Sequence, residues 1–298
     1  MGSFWKGNPC SPTWSGFINS YMYGYPPKLI EPNPSIQPIK LPPGVALRFA
    51  TASDIEQLPE FWTRFFSGTT RCIVPLLHIQ TMGAKSTIIV VTKDSQVIGS
   101  LVRRWTKLHI KETVWQKAGI IDYFCIHPAY RKKGIGRALL TCLHNVTDRP
   151  IQPHLMLLEG VQVTMPPIAA GVYLSRRCTG NTIIQKGGRW EDCAKGDVRT
   201  PYEEGETTLW KTASGVVAIW NTFHYSIPDG LRIGIVVGYS SLEAVNEVAT
   251  STTHGFGVLL LPVPVWKVGL EGWTLDSPFQ WLAYNTQVGF IEGFPVIC

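Results

Sequence analysis

At 298 residues the chain is longer than one ordinary domain and suits two, each able to bury its own core. Charged residues make up 16% and aromatics 11%, with 11 Trp, which excludes a largely disordered chain and calls for large apolar surfaces to be buried or offered to an apolar ligand. The net charge of +6 raises nucleic-acid binding, but the one dense basic cluster lies at 131–137, with Arg103-Arg104 as a smaller pair. A single anionic ligand accounts for that cluster, and no basic face interleaved with aromatics remains for a nucleic acid.

Residues 1–43 hold nine prolines and little periodicity, yet Phe4, Trp5, Trp14, Phe17, Tyr21, Tyr23 and Tyr25 are costly to leave in water. The expectation is an arm, residues 1–48, packed along the body. Ser53-Asp54-Ile55-Glu56 reads as a capping box opening a helix with Ile55, Leu58, Trp62, Phe65 and Phe66 on its apolar face, stopped near Gly68. Strands follow at 86–92 and 97–102 around the turn 93–96, and a third at 113–126 is closed by His127-Pro128.

From Ile135 the apolar residues Ile135, Leu139, Leu140, Leu143 and Val146 recur at three- and four-residue steps, predicting a helix that ends before Pro150. Between strand and helix stands Arg131-Lys132-Lys133-Gly134-Ile135-Gly136-Arg137. Its glycines let the backbone turn several N–H groups toward one point at the positive end of the helix dipole, a nest for an anion. A P-loop needs Gly-Lys-Ser/Thr, but Arg137-Ala138 follows Gly136; the dinucleotide fingerprint needs a third glycine where Leu139 stands. Both fail. The plainer alternative is an ordinary strand-to-helix turn with solvated basic residues.

Residues 154–158 are expected as the next parallel strand, reached by a right-handed crossover. Residues 185–206 read as an exposed connector. The second half repeats the order: strands at 207–212, 216–225 and 231–239, a helix at 240–249 opened by a capping box from Ser240 to Glu243, and a strand at 255–261. Its strand-to-helix turn, Gly238-Tyr239-Ser240-Ser241, lacks basic residues and a glycine pair, so it is not expected to bind the anion.

The seven cysteines are odd in number and contain no C-x-x-C, which argues against a disulfide framework and a zinc site and fits a reducing, cytoplasmic setting. No apolar run reaches transmembrane length, and the start MGSFWKGNPC lacks a signal peptide's apolar core. Lys6 stands where a myristoylation acceptor needs Ser or Thr, so Gly2 is read as unmodified.

The pattern R-x-x-G-x-G at 131–136, entered from an apolar strand with His127-Pro128, resembles the coenzyme A loop of the GNAT superfamily of acyltransferases. The order helix, three strands, helix, strand is also that superfamily's. The resemblance implies that loop amides bind the coenzyme's pyrophosphate and the preceding strand pairs with pantetheine. Ala169 and Tyr173, within 166–178, stand at a spacing seen in the last helix of many such acetyltransferases, where the tyrosine can protonate the leaving thiolate; a buried tyrosine packing its ring is the alternative.

Further stretches resemble the glycylpeptide N-tetradecanoyltransferases, the N-myristoyltransferases, with this chain as a compact member. They are Phe4-Trp5-Lys6-Gly7-Asn8-Pro9, Leu41-Pro42-Pro43-Gly44, Gln96-Val97-Ile98-Gly99, Phe124-Cys125-Ile126-His127, Gly160-Val161 with Met165-Pro166, and the run from Phe279 to Tyr284-Asn285. The fold so implied is α/β (α+β): two tandem GNAT-like domains, each a mixed, mostly antiparallel sheet flanked by helices. After the arm at 1–48, the acyl-CoA domain occupies 49–184, the connector 185–206, and a degenerate, shortened domain shaping the acceptor site 207–298.

The activity implied is transfer of myristate from myristoyl-CoA to the N-terminal glycine of acceptor proteins, by direct attack of the amine on the thioester. The coenzyme-binding residues implied are Phe4, Trp5, Cys125, Ile126, Arg131, Lys132, Lys133, Gly134, Ile135, Gly136 and Arg137. The base is the α-carboxylate at Cys298, and the backbone amides of Tyr123 and Phe124 form the oxyanion hole. Asp122 stands where the family has Asn, and Leu158 where it has Thr; Asp122 is a candidate for positioning the amine or for a substitute base. No metal is called for, and the protein is expected to be a monomer whose partners are acyl-CoA and glycine-starting peptides. Two alternatives stand beside this reading: a GNAT N-acetyltransferase using acetyl-CoA, with Tyr173 as acid, and a GNAT-fold protein that binds acyl-CoA without chemistry or serves a structural role.

Overall fold

The computed structural model describes residues 18, 22–23, 28–29, 39–66, 72–73, 76, 79–80, 86–110, 113–145, 154–159, 169–193, 198–199, 207–226, 229–264, 269–284 and 286–287. Strand β1 spans Val45–Phe49 and helix α1 Ala52–Phe65. Strands β2, Ser86–Lys93, β3, Gln96–Ile110, and β4, Thr113–Ile126, follow as a meander. Asp94 and Ser95 both have positive φ, 50° and 65°, as the tight turn between β2 and β3 requires. Helix α2, Ile135–Asn145, leads to β5, His154–Glu159, and β6, Ala169–Arg177.

In the second half, β7 is Thr207–Thr212, β8 Gly215–Ser226 and β9 Arg232–Tyr239. Helix α3, Leu242–Ala249, precedes β10, Val258–Val263, and β11, Thr274–Tyr284. These strands form one continuous sheet in the order β1-β2-β3-β4-β5-β11-β6-β10-β9-β8-β7. Among them β4 with β5 and β9 with β10 pair parallel, and every other neighbouring pair is antiparallel. The meander, helix and parallel strand of the first half thus recur in the second, giving two tandem GNAT-like units with mixed, mostly antiparallel sheets.

The units exchange their last strands. β6 follows β5 in the chain but pairs with β10, whereas β11 follows β10 and pairs with β5; β6 and β11 meet in the middle. This corrects the expectation for 166–178: Ala169 and Tyr173 lie on a strand, not on a last helix. Val172 and Leu174 enter the core under α3, while Tyr173 enters a core shared by both units, so both faces are apolar and the segment shows no simple alternation.

Both helix starts are displaced from the expected caps. At α1 the cap is Thr51, whose N–H and hydroxyl both donate to Asp54 Oδ2, at 2.7 and 2.6 Å, so Asp54 rather than Glu56 closes the box. At α3 the cap is Ser241, which accepts the Ala244 N–H at 3.1 Å; Ser240 instead accepts the N–H of Val216 at 2.8 Å. In the first unit α1 packs Leu58, Phe61 and Trp62 on one sheet face, and α2 packs Ile135, Leu139, Leu140 and Leu143 on the other. The shared core, with Ile120, Leu155, Tyr173, Ile235, Leu260 and Phe279, continues along the α1 face across both units.

Candidate active site

Three features lie on β4 and the loop that follows it. The first is a wedge: β4 and β5 pair at Gly119↔His154, Ile120↔Leu155 and Ile121↔Met156. Beyond those pairs β4 continues beside β3 to Ile126, and β5 continues beside β11 to Glu159. From residue 122 the two parallel strands no longer share a ladder, and among the described residues no other strand pairs with β4 on that side, an edge of the kind an extended, amide-bearing chain can join.

The second feature is a bulge where the wedge opens. Ser100 pairs with Cys125 but Val102 pairs with Asp122, so Tyr123 and Phe124 together oppose Leu101. Tyr123 has φ 46°, an uncommon conformation for a bulky residue that costs about 1–3 kcal/mol and persists only where the surroundings hold it. They hold it on both sides. The Tyr123 N–H donates to Asp122 Oδ1 at 2.8 Å, and its carbonyl accepts the Ser100 hydroxyl at 3.0 Å. Its ring stacks on Trp62, with centroids 4.0 Å apart and planes 16° from parallel.

The third feature is the loop. His127 begins a short turn, Pro128–Tyr130, and its Nδ1 accepts the Ala129 N–H at 3.2 Å. Arg131 Nε donates back to the Ile126 carbonyl at 3.0 Å, fixing the loop's root to the strand. Lys132 and Gly134 take φ of 63° and 83°, and the first helical bond, from the Ala138 N–H to the Gly134 carbonyl, is 3.0 Å. Residues with left-handed backbone followed at once by a helix N-terminus turn successive N–H groups inward, as anion binding needs. Arg131, Lys132, Lys133 and Arg137 are exposed around it. Lys93, from the β2–β3 turn, and Lys133 place their ammonium groups 5.7 and 5.1 Å from the Tyr130 ring centre.

Not every expected residue offers a side chain to a ligand. Ile135 and Cys125 are 1% and 3% exposed and belong to the core, so they can contribute backbone only. Burial pushes the Cys125 thiol up to about 12, against a smaller opposing influence from the Arg131 charge, so it is held as an unreactive thiol. Tyr173 is 4% exposed with its ring 4.6 Å from that of Phe279, the arrangement of a packing tyrosine. Phe4, Trp5, Cys298, Gly160-Val161 and Met165-Pro166 lie outside the described residues, as does the side chain of Leu158.

Asp122 sits at the opening of the wedge, on the face of the shared core. Besides holding Tyr123, it accepts Arg104 Nη2 at Oδ2, 3.1 Å away. The Arg104 guanidinium in turn lies 5.7 Å from the ring centre of Trp220, on β8, so the second unit reaches the edge of the site. From the sequence alone Trp62 is placed only on a helix's apolar face and Arg104 only in a basic pair, and Ser100 and Trp220 are given no role. A signal was present for two of them: Ser100 is polar within the apolar run 97–102, and Arg104 is a charge within a strand flanked by apolar residues. Among the described residues no group of three His, Cys, Asp or Glu could hold a metal ion, and no helix is long and apolar enough to cross a membrane.

The acetyltransferase (GNAT) domain family matches residues 84–173, which span the meander, bulge, loop, α2 and β5. No curated protein sequence matches the chain. A structure of Saccharomyces cerevisiae N-myristoyltransferase with bound myristoyl-CoA aligns at TM-score 0.69 and 10% identity, covering 99% of this chain and 96% of that one. A second structure of that enzyme with bound myristoyl-CoA aligns at TM-score 0.70 and 10% identity, covering 96% and 88%. At that identity the likeness is one of fold: a GNAT domain within a tandem arrangement that runs the length of both chains.

Proposed function

We propose that the protein is an acyl-CoA-dependent N-acyltransferase, and that its reaction is myristoyl transfer to the N-terminal glycine of acceptor proteins. The observation that carries the acyl-CoA part is the run from the bulge, along the wedge-side edge of β4, to the nest in the loop that follows. Coenzyme A is an extended amide-bearing arm joined to a pyrophosphate, and these features match its parts in order. The thioester then lies at the bulge peptide Tyr123–Phe124, where the Phe124 backbone N–H can stabilise the oxyanion; the Tyr123 N–H, also expected in the oxyanion hole, donates to Asp122 Oδ1 instead.

The acceptor amine attacks the thioester carbonyl carbon, the oxyanion collapses, the C–S bond breaks, and coenzyme A leaves as thiolate while an amide forms. The amine proton goes to a base. Two carboxylates are candidates: that at Cys298, assigned by resemblance, and Asp122 beside the bulge. The long-chain, glycine-directed part is supported by the length of the alignment with the myristoyl-CoA-bound enzyme, which takes in both units. Acetyl transfer is the second reading, favoured by the G-x-G loop at 134–136 and by the acetyltransferase family that matches it.

The test is transfer from acetyl-, octanoyl- and myristoyl-CoA to peptides starting with glycine, with alanine-starting and N-blocked peptides as controls. Myristoyl transfer confined to free glycine termini is the expected result. Acetyl transfer without long-chain transfer would replace it with the second reading, and coenzyme binding without any transfer would leave an acyl-CoA-binding protein. Comparing Asp122→Asn with a chain extended past Cys298 then identifies the base: the variant that loses kcat at unchanged acyl-CoA affinity carries it.

A further inference from the structure

We propose that Ser100, itself hydrogen-bonded by Trp62, is a positioning residue that aims the Phe124 N–H at the thioester carbonyl oxygen. This rests on the acyl-CoA reading above. Trp62 Nε1 donates to Ser100 Oγ at 2.8 Å, and Ser100 Oγ donates to the Tyr123 carbonyl at 3.0 Å. The hydroxyl is committed as acceptor to the indole, so its proton is directed to the carbonyl. Trp62 and Ser100 are both 0% exposed, and Tyr123 is 2% exposed, so water does not compete for either bond.

The Tyr123 carbonyl and the Phe124 N–H belong to one planar trans peptide and point in opposite directions. Fixing the carbonyl on Ser100 therefore turns the Phe124 N–H away from β3. The strand agrees: the His127 N–H donates to the Ile98 carbonyl on β3 at 2.9 Å. Alternation back along β4 puts the N–H of Cys125 on the β3 side and that of Phe124 on the wedge side. The neighbouring Tyr123 N–H is turned over to Asp122, so the two amides of the bulge are not equivalent. The Phe124 N–H is the oxyanion donor, and the serine and tryptophan set its direction from the α1 side of the sheet.

The test separates carbonyl recognition from coenzyme binding. Two non-cleavable analogues are used, a ketone of acyl-CoA with a methylene between sulfur and carbonyl, and a thioether of the same chain lacking the carbonyl. Wild-type protein should bind the ketone more tightly. Ser100→Ala should bring the affinity ratio toward one and lower kcat about 10- to 100-fold with little change in KM for acyl-CoA. Ser100→Thr, which keeps the hydroxyl, should restore both.

Trp62→Phe, which keeps an aromatic ring and loses the donor, should shift the ratio in the same direction, and it carries the test if Ser100→Ala fails to fold. A wild-type ratio near one, or a Ser100→Ala protein that is merely less heat-stable with ratio and kcat unchanged, overturns the proposal while leaving acyl-CoA binding intact. Failure of wild-type protein to bind either analogue overturns the acyl-CoA reading itself, and this proposal with it.

Discussion

Asp54 is a 1% exposed carboxylate in a bidentate pair with Arg48, with one arm, from Nη2 to Oδ1, at 2.9 Å. Burial, the largest single influence, raises its pKa, but the hydrogen bonds from Arg48 and Thr51 and the Arg48 charge together outweigh it. The carboxyl is held at about 2, below its ordinary 3.8. Because the folded value lies below the unfolded one, the stabilisation is present above about pH 4 and is lost as pH falls toward 2. Arg48 is 40% exposed, and water there weakens the pair, so the contribution is about 1–2 kcal/mol. Asp54→Asn should lower the unfolding free energy by that amount at pH 7, with the difference shrinking between pH 4 and 2 in denaturant titrations. Gly119 is constrained by contact instead: a Cβ there would meet His154 Cδ2 at 2.2 Å, and His154 is 0% exposed. Gly119→Ala should cost about 1–3 kcal/mol, seen as a lower melting temperature. His154→Ala in the same chain should make the glycine change nearly silent, a non-additivity that localises the clash.

The loop between β4 and α2 is where local sequence and local structure agree most closely. Gly134 has φ 83° with nothing within 4 Å of an added Cβ, so conformation alone, not space, demands glycine. Gly134→Val should leave the fold intact, since Ile135, Leu139 and Leu140 still anchor the helix, and weaken coenzyme A binding about tenfold by calorimetry as the nest loses its shape. This much was legible because glycine, proline and basic residues act over a few positions. The bulge was not. Nothing in Asp122-Tyr123-Phe124 announces a left-handed tyrosine; it arises from Ser100 and Trp62, 23 and 38 residues apart from their respective partners Tyr123 and Ser100. The caps were displaced for a similar reason: Thr51 and Ser241 win because Asp54 and the Ala244 N–H are in reach, whereas pattern matching favoured Ser53 and Ser240. For β6, apolar residues on both faces erased the alternation that marks a half-exposed strand, and an imported helix stood in its place.

At the scale of the molecule, the exchange of β6 and β11 makes the two units one folding problem. Without β11 the outer edge of β5 is open along the six pairs from Phe279↔Glu159 to Tyr284↔His154, and Phe279, 2% exposed, is missing from the shared core. Without β6 the outer edge of β10 is open along the six pairs from Val258↔Arg177 to Val263↔Val172. An unpaired apolar strand edge is both unstable and prone to pairing with other chains. Residues 1–206 and 207–298 expressed separately should therefore each be aggregated or unfolded, and co-expression should recover a soluble complex that binds coenzyme A. Phe279→Ala tests the same coupling in the intact chain. It should remove about 3–5 kcal/mol, and because β11 lies between β5 and β6 the whole protein should still unfold in one transition. Two separated transitions, followed by tryptophan fluorescence and by circular dichroism, would show that each unit is stable without its exchanged strand. The wedge itself depends on this exchange. β5 can part from β4 at residue 157 because β11 supplies its ladder on the other side, so the last strand of the second unit holds β5 along its own course away from β4.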